Sequence, residues 1–544
     1  MAIRPGDTGL KREIGLIGAT WASETSIIGS GWLLASFTAA SLIGSAAIID
    51  WLLGGVAVII LGLIHAELGG MYPVAGGTAR FPHLAFGGAA GISFGFFSWL
   101  QAVTVAPVEC YAVMRYLYYY WHSIYNPTTE NVTHIGFVMT IVLMLIFTAV
   151  NFLAIKWFNR VLSAITWWKV IIPVLTIIIL FTKFHSANFS AGGGFFPTGV
   201  GWKDVFGALP GAGIVFAYLG FEQADQLAAE VKNPQRNLPL AIIIAVLLGV
   251  IIYCLLQVVF IGATPADLLT KGFAGIPSTN QIAIAPFAGL SAAVGLGVWS
   301  TFLRVDGFIS PSGTGLVYLA STSRVGYGLA RNKYYPSVFQ KTDRNGVPWF
   351  SMIMSFLFGL VFLLPFPSWQ SLVGLVTSAS VLMYAGAPLS MGVFRRVLPH
   401  AERPYRLPGA IVIAPLGFIV ADLIIYWSGF ETIWKLGVAV ILGYLFILMH
   451  IADKPGVPKL NWSRSWWILV YLVGMGVISW QGAYGPENTN RLHYPWDILV
   501  VAVFSLAIYF LAVYVGANST EEIEALMADQ AVPAAEEEAE TTAA

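Results

Sequence analysis

The chain has 544 residues, of which 57% are apolar, 14% aromatic and 10% charged, with 28 basic against 28 acidic side chains. Soluble domains carry roughly 25% charged residues, so this composition excludes an ordinary water-soluble protein, and a net charge of zero gives no electrostatic basis for a nucleic-acid partner. Both cysteines, Cys110 and Cys254, lie in apolar runs, which excludes a disulfide framework or a cysteine metal site.

What remains is an all-α polytopic membrane protein. A hydrocarbon layer of about 30 Å takes roughly 20 apolar helical residues to cross. Residues 1–13 form a short polar segment in which no cleavable leader is expected. About fourteen spans follow, near 14–38, 46–70, 87–120, 134–155, 158–182, 204–230, 238–263, 296–324, 349–365, 369–394, 409–428, 433–451, 465–482 and 496–516. The eighth is long and interrupted by Ser310-Pro311-Ser312-Gly313, and the ninth is short. With the amino terminus inside, Lys11, Arg12, Arg80, Lys232, Arg236, Arg324, Arg395, Arg396, Arg403 and most other basic residues fall on cytoplasmic connections. The outer ones keep Lys183, Lys203, Lys271, Lys435 and Arg491. That is the positive-inside pattern, and it places both termini in the cytoplasm of a cell bounded by this inner membrane. The Ala- and Glu-rich residues 517–544 read as a disordered acidic tail.

In lipid a helix breaks only where protein or water lines the gap. The first span carries Ile28-Gly29-Ser30-Gly31 near its middle; the sixth carries Tyr218-Leu219-Gly220-Phe221, preceded by Pro210-Gly211-Ala212-Gly213. Small residues in one such segment fit a close helix–helix contact equally well. Their positions say more: each segment opens a five-span unit, 14–182 and 204–394, and an odd number of spans inverts the second unit. Secondary transporters are built in this way, with broken helices meeting near the midplane. The half-helix after Gly31 points free N–H groups at an anion such as a carboxylate. Carbonyls freed around Phe216 to Leu219 accept bonds from a cation such as an ammonium. One of each suits an amino acid.

Charges at depth are costly and mark a functional or structural polar interior. Lys169 follows Phe158 by eleven residues, about 16 Å along the helix and so near the midplane. It reads either as a fixed ion-pair partner or as a carrier that exchanges its proton with conformation. Glu109 and Arg115 in span three, and Arg304 and Asp306 in span eight, sit on opposite sides of their helices. Each then needs a partner elsewhere, with Glu109–Arg304 and Arg115–Asp306 as options. Structural ion pairs are one reading. The other is that Arg304 or Arg115 takes a second substrate carboxylate bidentately. Asp225 and Glu230 read as solvated or paired with Lys232 and Arg236. Glu67 reads as a residue of the inner gate near His65 and Arg80.

Several motifs resemble those of amino acid–polyamine–organocation permeases. They are Ile28-Gly29-Ser30-Gly31, Ala66-Glu67-Leu68 with Tyr72-Pro73-Val74-Ala75-Gly76-Gly77, Gly220-Phe221-Glu222, and Glu230-Val231-Lys232-Asn233-Pro234-Gln235-Arg236-Asn237-Leu238-Pro239. The resemblance covers about residues 10–450, with 409–516 as four additional spans. More narrowly, Phe216-Ala217-Tyr218-Leu219-Gly220, Pro365-Phe366-Pro367-Ser368-Trp369 and Ile425-Tyr426-Trp427-Ser428-Gly429 resemble stretches of bacterial aspartate–proton symporters.

The resemblance implies a leucine-transporter-like 5+5 inverted repeat with discontinuous spans one and six. It implies substrate carboxylate on the backbone at Gly29, Ser30 and Gly31, and α-amine on the carbonyls at Phe216, Ala217 and Leu219. An aromatic ring near Tyr218 or Phe221 would then occlude the pocket and Glu222 would gate it. Lys169 would bridge spans one, five and eight through carbonyls near Ile27 and Gly29.

No phosphate-binding Gly-x-x-x-x-Gly-Lys-Ser/Thr loop, His-Glu-x-x-His or Cys-x-x-Cys occurs. The expectation is a secondary transporter without cofactor, whose partners are an acidic amino acid, a proton and the bilayer. A carrier or exchanger of neutral amino acids or amines, and a non-transporting sensor, are the alternatives.

Overall fold

The computed structural model describes residues 14–73, 77–152, 155–228, 231–331, 333–366, 368–451 and 459–528. Val74 to Gly76 and Glu230, which carry parts of the motifs above, and the tail beyond 528 lie outside the described residues. The chain is helical almost throughout. The first unit comprises α1 (Leu16–Ile27), α2 (Ser30–Ile43), α3 (Ala47–Met71), α4 (Gly77–Phe86), α5 (Gly88–Leu117), α6 (His134–Asn151) and α7 (Ile155–Phe181). Then come α8 (Trp202–Gly211), α9 (Ile214–Ala217), α10 (Gln223–Gln226), α11 (Pro234–Ala263), α12 (Gln281–Ile284), α13 (Pro286–Ala293), α14 (Gly297–Arg331), α15 (Trp349–Leu363), α16 (Trp369–Tyr384) and α17 (Gly386–Val397). The chain closes with α18 (Ala410–Trp427), α19 (Phe430–Ile451), α20 (Trp462–Ser465), α21 (Trp467–Gln481), α22 (Trp496–Val515) and α23 (Thr520–Ala528).

Eight stretches among the described residues are long and apolar enough to cross a membrane, by length and composition. The fourteen read from sequence outnumber them for physical reasons. The first and sixth segments are broken into shorter helices, and α15 has 15 residues. One stretch, Ser30–Met71, runs through two of the expected spans.

Two expectations are corrected. The helix α14 runs unbroken through Ser310 to Gly313. Tight packing against Lys169 and Ile165 fills the space beside Gly313, and Ser310 Oγ bonds Asp306 Oδ1 at 2.7 Å. Packing and side-chain bonds of this kind let a membrane helix tolerate proline. Nor is residue 517 the start of a disordered tail: α23 is helical and buries Ile523 and Leu526. Arg464 pairs with Glu522 at 2.6 Å, Arg396 bonds the Ala517 carbonyl at 2.7 Å, and Ala517 N–H bonds Ala85 O at 2.8 Å. These contacts order the segment.

The polarity is inside out relative to a soluble protein. Ile411 and Leu469 are 89% and 67% exposed, whereas Glu109, Lys169, Glu222 and Asp306 are fully buried. The helices α5 and α14 lie along one another at the centre, flanked by α16, while α3 packs on α11. The short helices α1, α2, α9 and α10 pack among these long ones, so their free ends lie deep in the bundle.

Candidate functional site

The break in the first segment is local. In a continuous helix Gly29 N–H would bond Thr25 O; here it bonds Ile27 O at 3.0 Å and the chain restarts as α2 at Ser30. The carbonyls released at the end of α1 find side chains from three other helices. Thr25 O accepts from Lys169 Nζ at 2.6 Å and Thr314 Oγ1 at 3.1 Å, and Ile27 O accepts from Tyr253 at 2.8 Å. On the other side of the break, Ser30 N–H donates to Glu109 Oε2 at 2.8 Å. Ser30 Oγ accepts from Trp369 Nε1 at 2.9 Å. A helix N-terminus attracts anions through its unpaired N–H groups, and a carboxylate of the protein itself holds that position.

The sixth segment unwinds twice. Gly213, at φ +82°, ends the stretch after α8, and a single turn of α9 is followed by non-helical backbone from Tyr218 to Glu222. The two broken segments cross in close contact. A Cβ on Gly31 would lie 2.7 Å from Ala217 Cα, and one on Gly220 would lie 2.8 Å from Ile27 N. Ser23 Oγ bonds Phe221 O at 3.0 Å below the crossing.

Beside the crossing lies a small cavity of about 10 Å³, lined by Ser26, Ile27, Gly29 and Gly31 on one side and Phe216 and Leu219 on the other. Val105 and Glu109 of α5 and Thr314 and Tyr318 of α14 close it. A space of that size holds about one water molecule, so a larger ligand enters only when the lining moves. Glu109 and Lys169 meet across Thr314. Lys169 Nζ donates to Thr314 Oγ1 at 2.6 Å, and the space where Gly29 would carry a Cβ is 2.7 Å from Glu109 Oε1 and 2.9 Å from Thr314 Oγ1. Glu109 Oε1 has no hydrogen-bond partner among the described residues.

Of the residues singled out in the sequence, Gly29, Gly31, Phe216 and Leu219 line the cavity, while Ile28, Ser30, Ala217 and Gly220 build its backbone. Lys169 joins α7 to α1 and α14, through the Thr25 carbonyl rather than those of Ile27 and Gly29. Glu222 accepts from Tyr384, from Gly220 N–H at 3.0 Å and from Tyr318 at 3.3 Å, and so connects the unwound segment to the cavity wall.

Others are elsewhere. Tyr218 points away, its hydroxyl bonded to Trp51 O at 3.0 Å and its ring against Trp51 and Tyr253. Phe221 stacks on Tyr384 beside His65. Arg304 does not reach the cavity. It lies ten residues before Thr314 on the same helix, about 15 Å along it, with its guanidinium 3.4 Å above the Tyr119 ring. The expected pairs Glu109–Arg304 and Arg115–Asp306 do not form either. Arg115 bonds Ala283 O at 2.7 Å and Asp306 accepts from Trp168 at 2.7 Å. Asp225, expected to be solvated or paired with Lys232 and Arg236, is fully buried beside Gly69, because the short α10 turns inward at the break.

Glu67 pairs with Arg395 at 2.5 Å and Arg403 at 3.1 Å and accepts from Leu407 N–H at 2.7 Å. It fastens α3 to α17 and the following loop. Neutralising a buried carboxylate that holds two guanidiniums leaves like charges together, a loss of about 3–5 kcal/mol. Glu67→Gln is therefore expected to lower the thermal midpoint of the purified protein in detergent by several degrees. An unchanged midpoint would mean that the cluster does not hold this end together.

Sequence reasoning missed Ser26, Val105, Thr314 and Tyr318, which carry no chemical signal on their own. It also missed Glu24 of α1, a fully buried acid whose oxygens have no hydrogen-bond partner among the described residues; its depth in an apolar segment was the available signal. Among the described residues no group of three or more His, Cys, Asp or Glu could hold a metal ion.

Comparison with known proteins adds a lineage to this geometry. The family described as amino acid permease matches residues 14–447. The glutamate/serine transporter AimA of Bacillus subtilis (strain 168) is 35% identical, over 93% of this chain and 94% of its own length. The aspartate-proton symporter of the same organism is 33% identical, over 90% of this chain and 94% of its own. A branched-chain amino acid permease, BcaP, also from Bacillus subtilis, is 24% identical over 83% of this chain.

Proposed function

From the premise that this chain belongs to the amino acid permease family, whose members are transporters and not enzymes, we propose that it carries an acidic amino acid, aspartate or glutamate, with a proton across the cytoplasmic membrane. In this reading fourteen spans cross the bilayer with both termini inside. The first ten form two inverted five-span units that rock about the crossing of the broken segments. Four more spans follow. The substrate carboxylate takes the N–H groups at Ser30 and Gly31, and the α-amine takes carbonyls of the 216–219 segment. Glu222 and Glu67 act on the inner gate.

One observation carries the reading. The Ser30 N–H, at a helix start buried opposite unwound backbone, is already bonded to a carboxylate at 2.8 Å. A substrate carboxylate competes for that donor, so Glu109 has to withdraw or be neutralised as substrate binds. In this reading Lys169, which donates to Thr314 near Glu109, supplies the proton. In vesicles holding the purified protein, aspartate is expected to accumulate under an inward proton gradient and not under a sodium gradient alone. Binding without accumulation would identify a sensor instead, and uptake dependent on internal substrate an exchanger.

A second reading has its own support. No arginine or lysine lines the cavity, whose side-chain polar groups are Ser26, Thr314, Tyr318 and Glu109. That lining favours a neutral side chain such as that of serine, and a panel of labelled amino acids separates the two. In either case Lys169→Met is expected to reduce gradient-driven accumulation to the level of empty vesicles while substrate binding persists. Undiminished accumulation by that variant would remove Lys169 from the coupling.

A further inference from the structure

Two guanidiniums lie at the end of α5 and α14 away from the chain termini, and no acid answers either. Arg115 and Arg304 are 6% and 8% exposed. Among the described residues neither forms an ion pair. Arg115 gives one hydrogen bond to Ala283 O and faces the Tyr125 ring, leaving its Nε buried without a partner. Arg304 stacks on Tyr119, with its Nη1 buried and unpartnered. Asp306, two residues on, spends Oδ1 on Trp168 and Ser310 instead. Buried cations without counter-charge are costly.

They belong to one helix contact, because Tyr116, next to Arg115, packs against Gly307, three residues past Arg304. The hydroxyl of Tyr116 bonds Leu33 O at 3.3 Å in the opening turn of α2, the half-helix that starts at the cradle. Along the helices Arg115 is about 9 Å from Glu109, and Arg304 about 15 Å from Thr314. Tyr119, Tyr120 and Trp121 form an exposed aromatic rim at the same end. Tyr119, stacked on Arg304, is half exposed.

We propose that Arg115 and Arg304 form a second, outer subsite for a carboxylate, separate from the central cradle. This subsite captures the side-chain carboxylate of an acidic amino acid on its way in, and its use in transport rests on the function proposed above. Guanidiniums match a carboxylate with paired N–H donors, and Tyr119 is the group such an anion would displace. Selection for an acidic substrate then lies at the approach, which is consistent with a central cavity lined by no cation.

Succinate tests the subsite without transport, because it has the carboxylates and lacks the amine that the cradle requires. The full-length protein in nanodiscs is expected to bind succinate, followed by intrinsic tryptophan fluorescence. Arg304→Gln and Arg115→Gln should each weaken it by roughly ten- to hundredfold, the range of a charge-assisted hydrogen bond. Arg304→Lys, which keeps the charge and loses the fork, should fall between. In vesicles the same glutamine variants should raise the KM for aspartate with little change in maximal rate, lowering the ratio of aspartate to serine uptake at low concentration. Wild-type protein that does not bind succinate, or glutamine variants that bind it equally well, would overturn the subsite. Because that arm needs no uptake, it decides the subsite even where vesicles accumulate no amino acid and the transport reading fails.

Discussion

Gly220→Ala is expected to bring substrate uptake down to the background of empty vesicles. Gly220 adopts φ +121°, a conformation that residues with a Cβ rarely enter. Its added methyl would sit 2.7 Å from Ser26 Cβ and 2.8 Å from Ile27 N. One of those neighbours is backbone of the other broken segment, so relief requires the two segments to part. Parting them moves the carbonyls of the 216–219 segment away from the N–H groups of α2, and the cradle loses its two-sided character. Backbone strain of this kind costs about 1–3 kcal/mol before the clash is counted. Gly31→Ala should act in the same direction, since its methyl meets Ala217 Cα at 2.7 Å. Gly211→Ala is the control, because nothing lies within 4 Å of the Cβ it would add. Scintillation-proximity binding beside vesicle uptake makes the check. Normal uptake by Gly220→Ala would mean that the close crossing plays no part in the cycle.

The broken segments were legible because two small-residue clusters fall in matching places of the two units, which says more than either cluster alone. The depth of Lys169 was legible from helical rise alone. Which group meets which was not. Glu109 was visible as an intramembrane acid, but its target, the Ser30 N–H, depends on the rotation of α5 against α2, which no local pattern encodes. Arg304 was misplaced for a related reason. Residue type suggested a carboxylate partner, whereas position along α14 puts it about 15 Å from the cavity. Tyr218 opens the unwound stretch, yet its side chain leaves on the far face toward Trp51. At the carboxyl end, Glu- and Ala-rich composition hid the Ile523 and Leu526 pair, spaced three apart so that one helical face meets the bundle.

The widest consequence attaches to Glu109. Glu109→Gln keeps the shape of the side chain and removes its charge, so the Ser30 N–H keeps an acceptor but loses a charge-assisted bond worth about 1.5–3 kcal/mol. An incoming carboxylate then displaces a weaker competitor, and substrate affinity at neutral pH is expected to rise on the order of ten- to hundredfold. In the wild type, protonation of Glu109 has the same effect, so affinity should increase as pH falls. The glutamine variant has no proton to gain there, and its affinity should stay flat over the same range. Coupling is lost with the titration: the variant should exchange labelled for unlabelled substrate but fail to accumulate it under a proton gradient. Lys169→Met shares the second outcome without the first, because it leaves the competitor on Ser30 in place. Binding measured at several pH values, beside counterflow and gradient-driven uptake, therefore separates the two roles. An affinity for Glu109→Gln that tracks pH as the wild type does would show that the Ser30–Glu109 bond is structural and that the proton is carried elsewhere.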